Sequence, residues 1–269
     1  MLSQAVQRTL FVPLLGRARA ARLWPHCFED AWAQDLALRL TARTPELAAA
    51  DLGDVPAAIY ALRHRAAVTE VRRYLRGHPG AAVVDLGCGM DRLVDDVDDP
   101  AACVYCLDLP EVMSLRREWM PPHPREKHLP ASLTDTDWMA DIDADTGMIA
   151  VASGVVYFFA EEDMRRLVDE LAHRFPGGSI VYDAESPDLV EASEQAVRNA
   201  GVADAPMPYR VDDPLAPLRW SRAVTAARAD YGLLSYLPDD ADLPAPVMQA
   251  LESLRANRSL YEVVAEFAR

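Results

Sequence analysis

The sequence predicts an α/β fold built on a mostly parallel sheet with helices on both faces. From residue 81 onward, short apolar runs alternate with helical stretches, which is typical of a parallel sheet. A Gly-x-Gly turn directly follows the first of these runs. The length of 269 residues suits one large domain, or one domain with an added cap, better than two independent domains.

The individual elements follow from hydrophobic periodicity and from residues that end helices. Residues 31–40 and 57–75 carry apolar side chains on one helical face, and Gly77 and Pro79 end the second helix. In the alternating region, the apolar runs have the length of strands, and the clearest helix has three acids in its first turn. The predicted strands cover 81–86, 102–108, 128–132, 148–153 and 179–183, and the predicted helices 110–119 and 161–175.

The remaining third of the chain gives a less regular pattern. A helix is expected over 189–200, and two proline-rich stretches, 205–217 and 237–246, are expected to be ordered loops. The tail 260–267 is compatible with a strand or with a helix.

The charge balance excludes several classes of partner. The chain has 27 basic and 42 acidic residues, a net charge of −15. Such a chain repels phosphate backbones and anionic membranes, so neither a nucleic acid nor a membrane is an expected partner. No apolar run reaches the roughly 18 residues of a membrane span, and the stretch 10–15 is too short for a signal peptide. With only four cysteines, the sequence predicts a soluble cytoplasmic protein.

The chemically informative segment is the turn after the first strand, where Gly87 and Gly89 follow Asp85. Glycines permit positive φ there and let a ligand approach the backbone beside free N–H groups. A dinucleotide fingerprint would have a third glycine where this chain has Arg92, and the acid suits a cationic group. Asp108 ends the second strand, a position at which a carboxylate accepts hydrogen bonds from the ribose hydroxyls of a nucleoside. The pair of acids indicates S-adenosylmethionine as the cofactor; the alternative is an ordinary βαβ turn with a surface aspartate.

The chain also resembles the leucine carboxyl methyltransferase and polyketide O-methyltransferase family, a branch of the class I S-adenosylmethionine-dependent methyltransferases. The resemblance covers roughly residues 10–185, and its four blocks are 78–91, 107–112, 131–138 and 154–183. The Asp-Leu-Pro sequence at 108–110 is more specific to this family than the glycine turn. The resemblance implies a Rossmann-like fold with a seven-stranded sheet and an N-terminal helical cap.

The resemblance implies roles for individual residues of a cofactor site. The glycine turn and Asp85 would line the methionine part, and Asp108 would hold the ribose. Ser132 and Leu133 would face the adenine, with Trp138 closing that side. The residues assigned to the cofactor are Arg63, Asp85, Gly87, Gly89, Asp108, Leu109, Ser132, Leu133 and Ser153.

Two of these assignments carry alternatives. Arg63 would pair with the cofactor carboxylate, for which a bidentate guanidinium is well suited; otherwise it belongs to a solvated helix face shared with neighbouring arginines. Ser153 stands where similar sequences often have glutamate, which leaves the cofactor contact at this position open and gives room for an acceptor.

Candidates for catalysis and metal binding are few. Tyr157 is the candidate catalytic residue of the acceptor pocket, because ligands lie beyond the carboxyl ends of such strands; packing against its phenylalanine neighbours is the alternative. No histidine is marked as a base. Cys103 and Cys106 have CxxC spacing but would face opposite sides of a strand, and no second pair completes a zinc site, so no metal is expected.

The predicted reaction is in-line displacement at the sulfonium methyl by an acceptor oxygen, with the enzyme aligning the reactants away from water. A carboxylate or an acidic phenol ionises unaided, whereas an alcohol needs a base, so the lack of an evident base favours the acidic acceptors. Aromatic side chains of the cap and of the proline-rich loops would line the binding site for a natural-product-like small molecule, unless they pack in the core. These side chains are Trp24, Trp32, Tyr209 and Trp220.

Three alternatives to this function remain open. The fold also supports non-methylating reactions of the cofactor such as ring closure or decarboxylation, since fold does not fix function. Protein C-terminal carboxyl methylation, or cofactor sensing without catalysis, are the others. In each case we expect an N-terminal helical cap (1–75), a cofactor-binding core (76–185) and a C-terminal part of the same domain with acceptor-side loops (186–269). No prediction of oligomeric state follows from the sequence.

Overall fold

Seven strands form the central sheet of the computed structural model, which describes residues 4–44, 53–199 and 206–269. The strands are β1 (Ala82–Leu86), β2 (Val104–Asp108), β3 (Glu126–Pro130), β4 (Met148–Ala152), β5 (Ser179–Glu185), β6 (Val224–Tyr231) and β7 (Leu260–Phe267). Their order in the sheet is β3-β2-β1-β4-β5-β7-β6. Strand β7 pairs antiparallel with both neighbours, and the other pairs are parallel, which confirms the predicted mostly parallel seven-stranded sheet.

Helices cover both faces of this sheet. They are α1 (Gln4–Leu23), α2 (Ala31–Arg43), α3 (Asp54–Gly77), α4 (Pro110–Trp119), α5 (Glu161–Arg174), α6 (Pro187–Asn199), the four-residue α7 (Pro217–Trp220) and α8 (Ala245–Ala256). Short 3-10 helices lie at Leu93–Asp95, Thr136–Asp141, Val156–Phe158 and Leu234–Tyr236. None of the described helices has the length and apolar character needed to cross a bilayer.

Alternation along the strands produces two apolar layers. Val84 and Leu86 of β1 enter the cluster that packs beneath α5, whereas Val83 enters the cluster that packs beneath α3. Helices α1 and α2 add a separate cluster that also contains Met90, the residue after Gly89. The N-terminal helices therefore pack directly on the segment that the sequence marks as functional.

Most predicted elements agree with the structure to within a few residues, and the differences have physical reasons. Strand β3 begins and ends two residues earlier than predicted, because parallel pairing sets Asp108 opposite Pro130. Strand β6 is not predicted, because its alanines and charges form an edge strand stabilised by pairing with β7. The stretch 237–246 is a loop only as far as Pro244; the next prolyl ring lies in the first turn of α8, where proline is tolerated.

The tail 260–267 is a strand, which resolves the ambiguity of the sequence pattern. The helix predicted over 189–200 runs from Pro187 to Asn199, and the prediction for residue 200 lies outside the described residues. Residue 205, the start of the first predicted loop, and residues 1–3 and 45–52 of the predicted cap are outside them as well.

Candidate active site

The candidate site lies at the carboxyl edge of the sheet, where β1 neighbours both β2 and β4. The chain leaves β1 toward β2 on one side and later reaches β4 on the other, so a crevice opens between the two connections. Most of the residues predicted for the site follow these strands directly. The topology therefore brings together segments that are far apart in the sequence.

The glycine turn, defined here as residues 87–92, begins where β1 ends at Leu86. Gly87 and Gly89 both have positive φ, at +72° and +47°. A Cβ atom on Gly87 would lie 2.7 Å from Cγ2 of Val155, so the turn passes close to the segment after β4. Only glycine fits this combination of left-handed backbone and close contact.

Asp108 joins the glycine turn to the end of β2. Its Oδ2 accepts a 2.8 Å hydrogen bond from the N–H of Gly89, and its Oδ1 accepts one of 2.8 Å from the N–H of Leu109. Burial raises the pKa of Asp108, and these two backbone N–H groups oppose that effect. Leu109 itself is 46% exposed beside this turn.

Asp85 is a buried carboxyl group with an unsatisfied oxygen. It is 5% exposed, and its Oδ2 has no hydrogen-bond partner within the described part of the chain. Burial, together with the nearby carboxylates of Asp91 and Asp108, raises the pKa of Asp85 to about 8, although Arg116 opposes the effect. A buried acid without a partner is costly unless a cation or a donor reaches it.

The residues predicted for the adenine side follow β3. The N–H of Ala131 donates to the carbonyl oxygen of Asp108 at 3.0 Å, so this segment lies against the end of β2. The Oγ of Ser132 is 2.9 Å from the Oγ1 of Thr134, and Leu133 is buried. Trp138 is buried in the core, and its Nε1 has no partner among the described residues.

A second polar cluster lies after β4 and at the end of β5, centred on the fully buried Asp183. Its Oδ1 accepts a 2.6 Å hydrogen bond from the N–H of Gly154, the residue after Ser153. Its Oδ2 accepts from the hydroxyl of Tyr157 and pairs with Nε of Arg63 at 2.8 Å. Three segments of the chain therefore meet at one carboxylate.

Arg63 is buried, so the predicted alternative of a solvated helix face is wrong. Its Nη2 pairs with Oε1 of Glu185 at 2.8 Å, in addition to its pair with Asp183. Its guanidinium also lies over the ring of Tyr157, 5.3 Å from the centroid. The arginine enters the fold because two carboxylates at the end of β5 compensate its desolvation.

Tyr157 is a buried, neutral hydroxyl that donates to Asp183. Burial raises its pKa well above the ordinary value, and Arg63 only partly opposes this effect. Its ring packs with Val190 and Met207, whereas Phe159 packs against the core beneath α5. In this state Tyr157 does not offer a free base.

Four charged residues missed by the sequence reasoning surround the glycine turn. Arg116, fully buried on α4, donates from Nη1 to the carbonyl oxygen of Gly89 at 3.0 Å and from Nη2 to Glu126 at 2.9 Å. The others are Asp91, His64 and Arg17, which form the chain of ion pairs described below. Asp91 stands inside the motif, but nothing in the local pattern identifies its partners on distant helices.

The four aromatic residues predicted for an acceptor pocket do not form one group. Trp24 packs between the N-terminal helices and the C-terminal part of the chain, and Trp32 packs with α1 and α2. Tyr209 and Trp220 belong to the core on the α5 side of the sheet. The four residues therefore pack in three different clusters and are not gathered around one pocket.

One group of described residues has the composition of a metal site. Ligand atoms of Cys106, Glu126 and His128 lie within 4.8 Å of one another. The guanidinium of Arg116 pairs with Glu126 and lies 3.6 Å from the Cys106 sulfur. A fixed positive charge there opposes a metal cation, and Glu126 instead pairs with the arginine.

The strand order and the glycine turn at the switch point define the class of this fold: it is that of the class I S-adenosylmethionine-dependent methyltransferases. In sequence, the chain is 27% identical over 183 residues to the tetracenomycin polyketide synthesis O-methyltransferase TcmP of Streptomyces glaucescens, which covers 68% of this chain and 67% of that protein. No protein-family model matches the chain.

Solved structures show the same fold along most of the chain. A DUF574 family protein of Streptomyces avermitilis superposes with a TM-score of 0.55 at 14% identity, covering 88% of this chain and 91% of that one. The plantazolicin methyltransferase BpumL, in complex with S-adenosylhomocysteine and a pentazolic analogue, gives 0.51 at 12% identity, covering 98% and 100%. The predicted fold and the resemblance to methyltransferases are confirmed, and the predicted cofactor agrees with these comparisons.

Proposed function

We propose that the protein transfers the methyl group of S-adenosylmethionine to an oxygen atom of a small-molecule, natural-product-like carboxylate or phenol. The observation that carries this proposal is the glycine turn held between Asp85 and Asp108 at the switch point of a methyltransferase fold. The relationship to a polyketide O-methyltransferase supports the class of acceptor.

The residues of the crevice fit this cofactor. The unpartnered Oδ2 of Asp85 suits the cationic amine or sulfonium of its methionine part. Gly87 combines a left-handed backbone with a close contact to Val155, a combination that only glycine allows in the turn that would receive the cofactor. The two N–H bonds hold the carboxylate of Asp108, which would bind the ribose hydroxyls. The exposed Leu109 would pack on the adenine beside Ser132 and Leu133.

Arg63 has a different role in our proposal from the one that the resemblance implies. Its guanidinium already forms ion pairs with Asp183 and Glu185, so a cofactor carboxylate would be the third anion next to a single cation. We propose that Arg63 mainly fixes Asp183, which in turn holds the N–H of Gly154 and the hydroxyl of Tyr157. Ser153, next to this carboxylate, would then face the reacting groups.

The acceptor class follows from the absence of a free base in the described part of this cluster. The hydroxyl of Tyr157 is neutral and donates to Asp183. Asp183 also accepts from the N–H of Gly154 and forms an ion pair with Arg63. A carboxylate or an acidic phenol brings its own negative oxygen and requires only alignment and exclusion of water. The bound cofactor supplies the electrophilic methyl group.

The test is turnover with S-adenosylmethionine labelled in its methyl group and four acceptor arms: an aromatic carboxylic acid, a polycyclic phenol, an aliphatic alcohol and a peptide with a free C-terminal carboxylate. We expect label and the mass of one added methylene in the acid or phenol products, with equimolar S-adenosylhomocysteine. A labelled peptide would favour protein carboxyl methylation. Consumption of the cofactor without a labelled acceptor would favour a non-methylating reaction, and binding without consumption would favour a sensor.

A further inference from the structure

The two N-terminal helices contact every residue of the glycine turn from Gly89 to Arg92. Leu10 of α1 lies over Gly89, where an added Cβ would come within 3.1 Å of the leucine Cδ1. Nε1 of Trp32 on α2 donates to the carbonyl oxygen of Met90 at 3.5 Å. The guanidinium of Arg92 lies over the Trp32 ring, 4.6 Å from its centroid. The helices thus form one wall of the proposed cofactor site.

A chain of partly buried ion pairs through Asp91 adds to these contacts. Nη1 of Arg17 on α1 lies 2.5 Å from Oδ1 of Asp91, and Nε of the same arginine lies 2.7 Å from Oδ2 of Asp30. On the other side, Nδ1 of His64 lies 3.0 Å from Oδ2 of Asp91, and its Nε2 lies 3.0 Å from Oδ2 of Asp96. Both oxygens of Asp91 are therefore held by cations from two different helices.

The opposite side of the turn is held as well. Arg116 donates from Nη1 to the carbonyl oxygens of Gly89 and Asp91. With α1 in place, the turn is fixed on both sides. Without the buried Arg17, the Asp91 carboxylate would lose one of its two cationic partners and would keep His64 and the N–H of Arg92. Breaking an ion pair that is shielded from water is destabilising.

We propose that Arg17 is a positioning residue for cofactor binding, which acts through Asp91 so that docking of helix α1 and binding of S-adenosylmethionine are energetically coupled. This inference rests on the proposed function, because it requires the glycine turn to bind the cofactor. The coupling is reciprocal: the docked helix holds the turn in its binding shape, and the bound cofactor holds the helix. A displacement of the turn by a fraction of an ångström is enough to weaken its contacts.

The chain offers a matched control on the same helix. Arg19 also forms an arginine–aspartate pair, with its Nη2 2.6 Å from Oδ1 of Asp54, but this pair is directed to the start of α3 and not to the glycine turn. Arg17→Met removes the pairs with Asp30 and Asp91, whereas Arg19→Met removes the pair with Asp54 and leaves the partners of the glycine turn in place. Arg17→Lys keeps the charge with a single donor group.

The experiment measures S-adenosylhomocysteine affinity by calorimetry and hydrogen exchange of residues 10–23 with and without this ligand. We expect Arg17→Met to lower the affinity about tenfold and to abolish ligand-induced protection of the helix, Arg17→Lys to recover part of the affinity, and Arg19→Met to change it less than twofold. Thermal unfolding of each variant shows whether it is folded.

The outcomes separate this inference from the proposed function. Two outcomes would overturn the coupling while the wild-type protein still binds S-adenosylhomocysteine. In the first, the two methionine variants lose affinity equally; in the second, the ligand leaves hydrogen exchange of residues 10–23 unchanged in the wild type. In both cases the cofactor assignment stands. If the wild-type protein does not bind the ligand, the proposed function and this inference are both wrong. If Arg17→Met is unfolded, the affinity of Arg17→Lys decides: a value equal to that of Arg19→Met overturns the coupling.

Discussion

The N–H of Gly89 donates a 2.8 Å hydrogen bond to the carboxylate of Asp108, although Gly89 follows β1 and Asp108 is the last residue of β2. The bond joins the glycine turn to the end of β2, and the N–H of Leu109 fixes the second oxygen of the same carboxylate. The acid is thus oriented before any ligand arrives, which lowers the ordering cost of binding.

Replacing Asp108 is expected to weaken cofactor binding. Asp108→Ala removes both the proposed ribose acceptor and the bond to Gly89, and we expect a loss of about 2–3 kcal/mol of binding free energy, as for hydrogen bonds to charged groups. Calorimetry with S-adenosylhomocysteine measures this loss.

Asp99 is a matched control for that substitution. It also accepts two backbone N–H bonds, from Gly80 at 2.6 Å and from Ala101 at 2.9 Å, but it precedes β2 and lies at the other edge of the sheet. Asp99→Ala should lower thermal stability and leave the affinity unchanged. Unchanged affinity in Asp108→Ala would remove the ribose assignment.

Substitution of Gly87 should lower the stability of the folded protein for two separable reasons. Gly87→Ala combines a positive φ with a Cβ placed 2.7 Å from Val155, whereas Gly154→Ala has a similar φ of +71° and open space around the added Cβ. We expect Gly154→Ala to cost about 1–2 kcal/mol of unfolding free energy from backbone strain, and Gly87→Ala to cost more. Denaturant unfolding provides these values.

A double variant tests the steric part of that prediction. Val155→Ala removes the Cγ2 atom that the new Cβ would meet, so it should recover part of the stability of Gly87→Ala. Strict additivity of the two substitutions would show that the close contact does not matter.

Cofactor binding should depend on pH through Asp85. Burial raises its pKa to about 8 in the free protein, so the carboxyl group is mostly protonated at pH 7. A bound cation favours the ionised form, so the affinity for S-adenosylmethionine should increase as pH rises from 6 to about 8, with release of a proton on binding. Calorimetry in buffers of different ionisation enthalpy measures this proton.

Asp85→Asn keeps the size of the side chain but does not titrate. We expect its affinity to be lower and independent of pH over this range. The same pH slope in this variant as in the wild type would assign the proton to another group.

His64 should stabilise the folded protein in a pH-dependent manner. Burial and the Arg17 guanidinium lower the pKa of His64. The charge of Asp91 and the hydrogen bonds to Asp91 and Asp96 outweigh these effects and raise the pKa to about 9. Asp85 is a further ionisable neighbour of the imidazole. The imidazolium therefore binds its proton more tightly in the folded state than in the unfolded state, where its pKa is 6.5. The resulting stabilisation is complete below pH 6.5 and is lost as pH rises through about 9.

The variant His64→Gln tests this dependence in denaturant titrations at several pH values. We expect a loss of up to about 3 kcal/mol below pH 6.5 and a much smaller loss at pH 10, because each tenfold change in proton affinity is worth ~1.4 kcal/mol. His173→Gln, on an exposed i,i+4 pair with Asp169, should cost below 1 kcal/mol at every pH, as expected for surface pairs. A constant loss in His64→Gln would show that only its packing matters.

Tyr157→Phe should separate catalysis from cofactor binding. The variant keeps the ring and removes the hydroxyl that donates to Asp183. With an acceptor identified, we expect kcat to fall about tenfold and S-adenosylhomocysteine affinity to stay within twofold, because Tyr157 lies on the β4–β5 side and not on the glycine turn. Tyr261→Phe serves as the control, because it removes a buried hydroxyl that donates to the carbonyl oxygen of Val211. Normal turnover in Tyr157→Phe would show that Tyr157 has only a packing role.

Local sequence was sufficient for the part of the site that is continuous in the chain. The run from β1 through Gly87 and Gly89 is a strand, a turn and a set of free N–H groups in succession, so residue type and order carry the information. The acid at the end of β2 was predictable for the same reason. Helix boundaries were predictable where prolines and glycines end a periodic pattern.

Tertiary structure alone decided which charged residues became partners. Arg63 and Glu185 are 122 positions apart, and nothing in the periodicity of α3 distinguishes the buried Arg63 from the exposed Arg73 on the same helix. Arg17 and Asp91 likewise meet only because α1 packs on the glycine turn. A buried charge is tolerated only where the complete fold supplies its counterion, and that condition is a property of packing, which no local pattern of residues encodes.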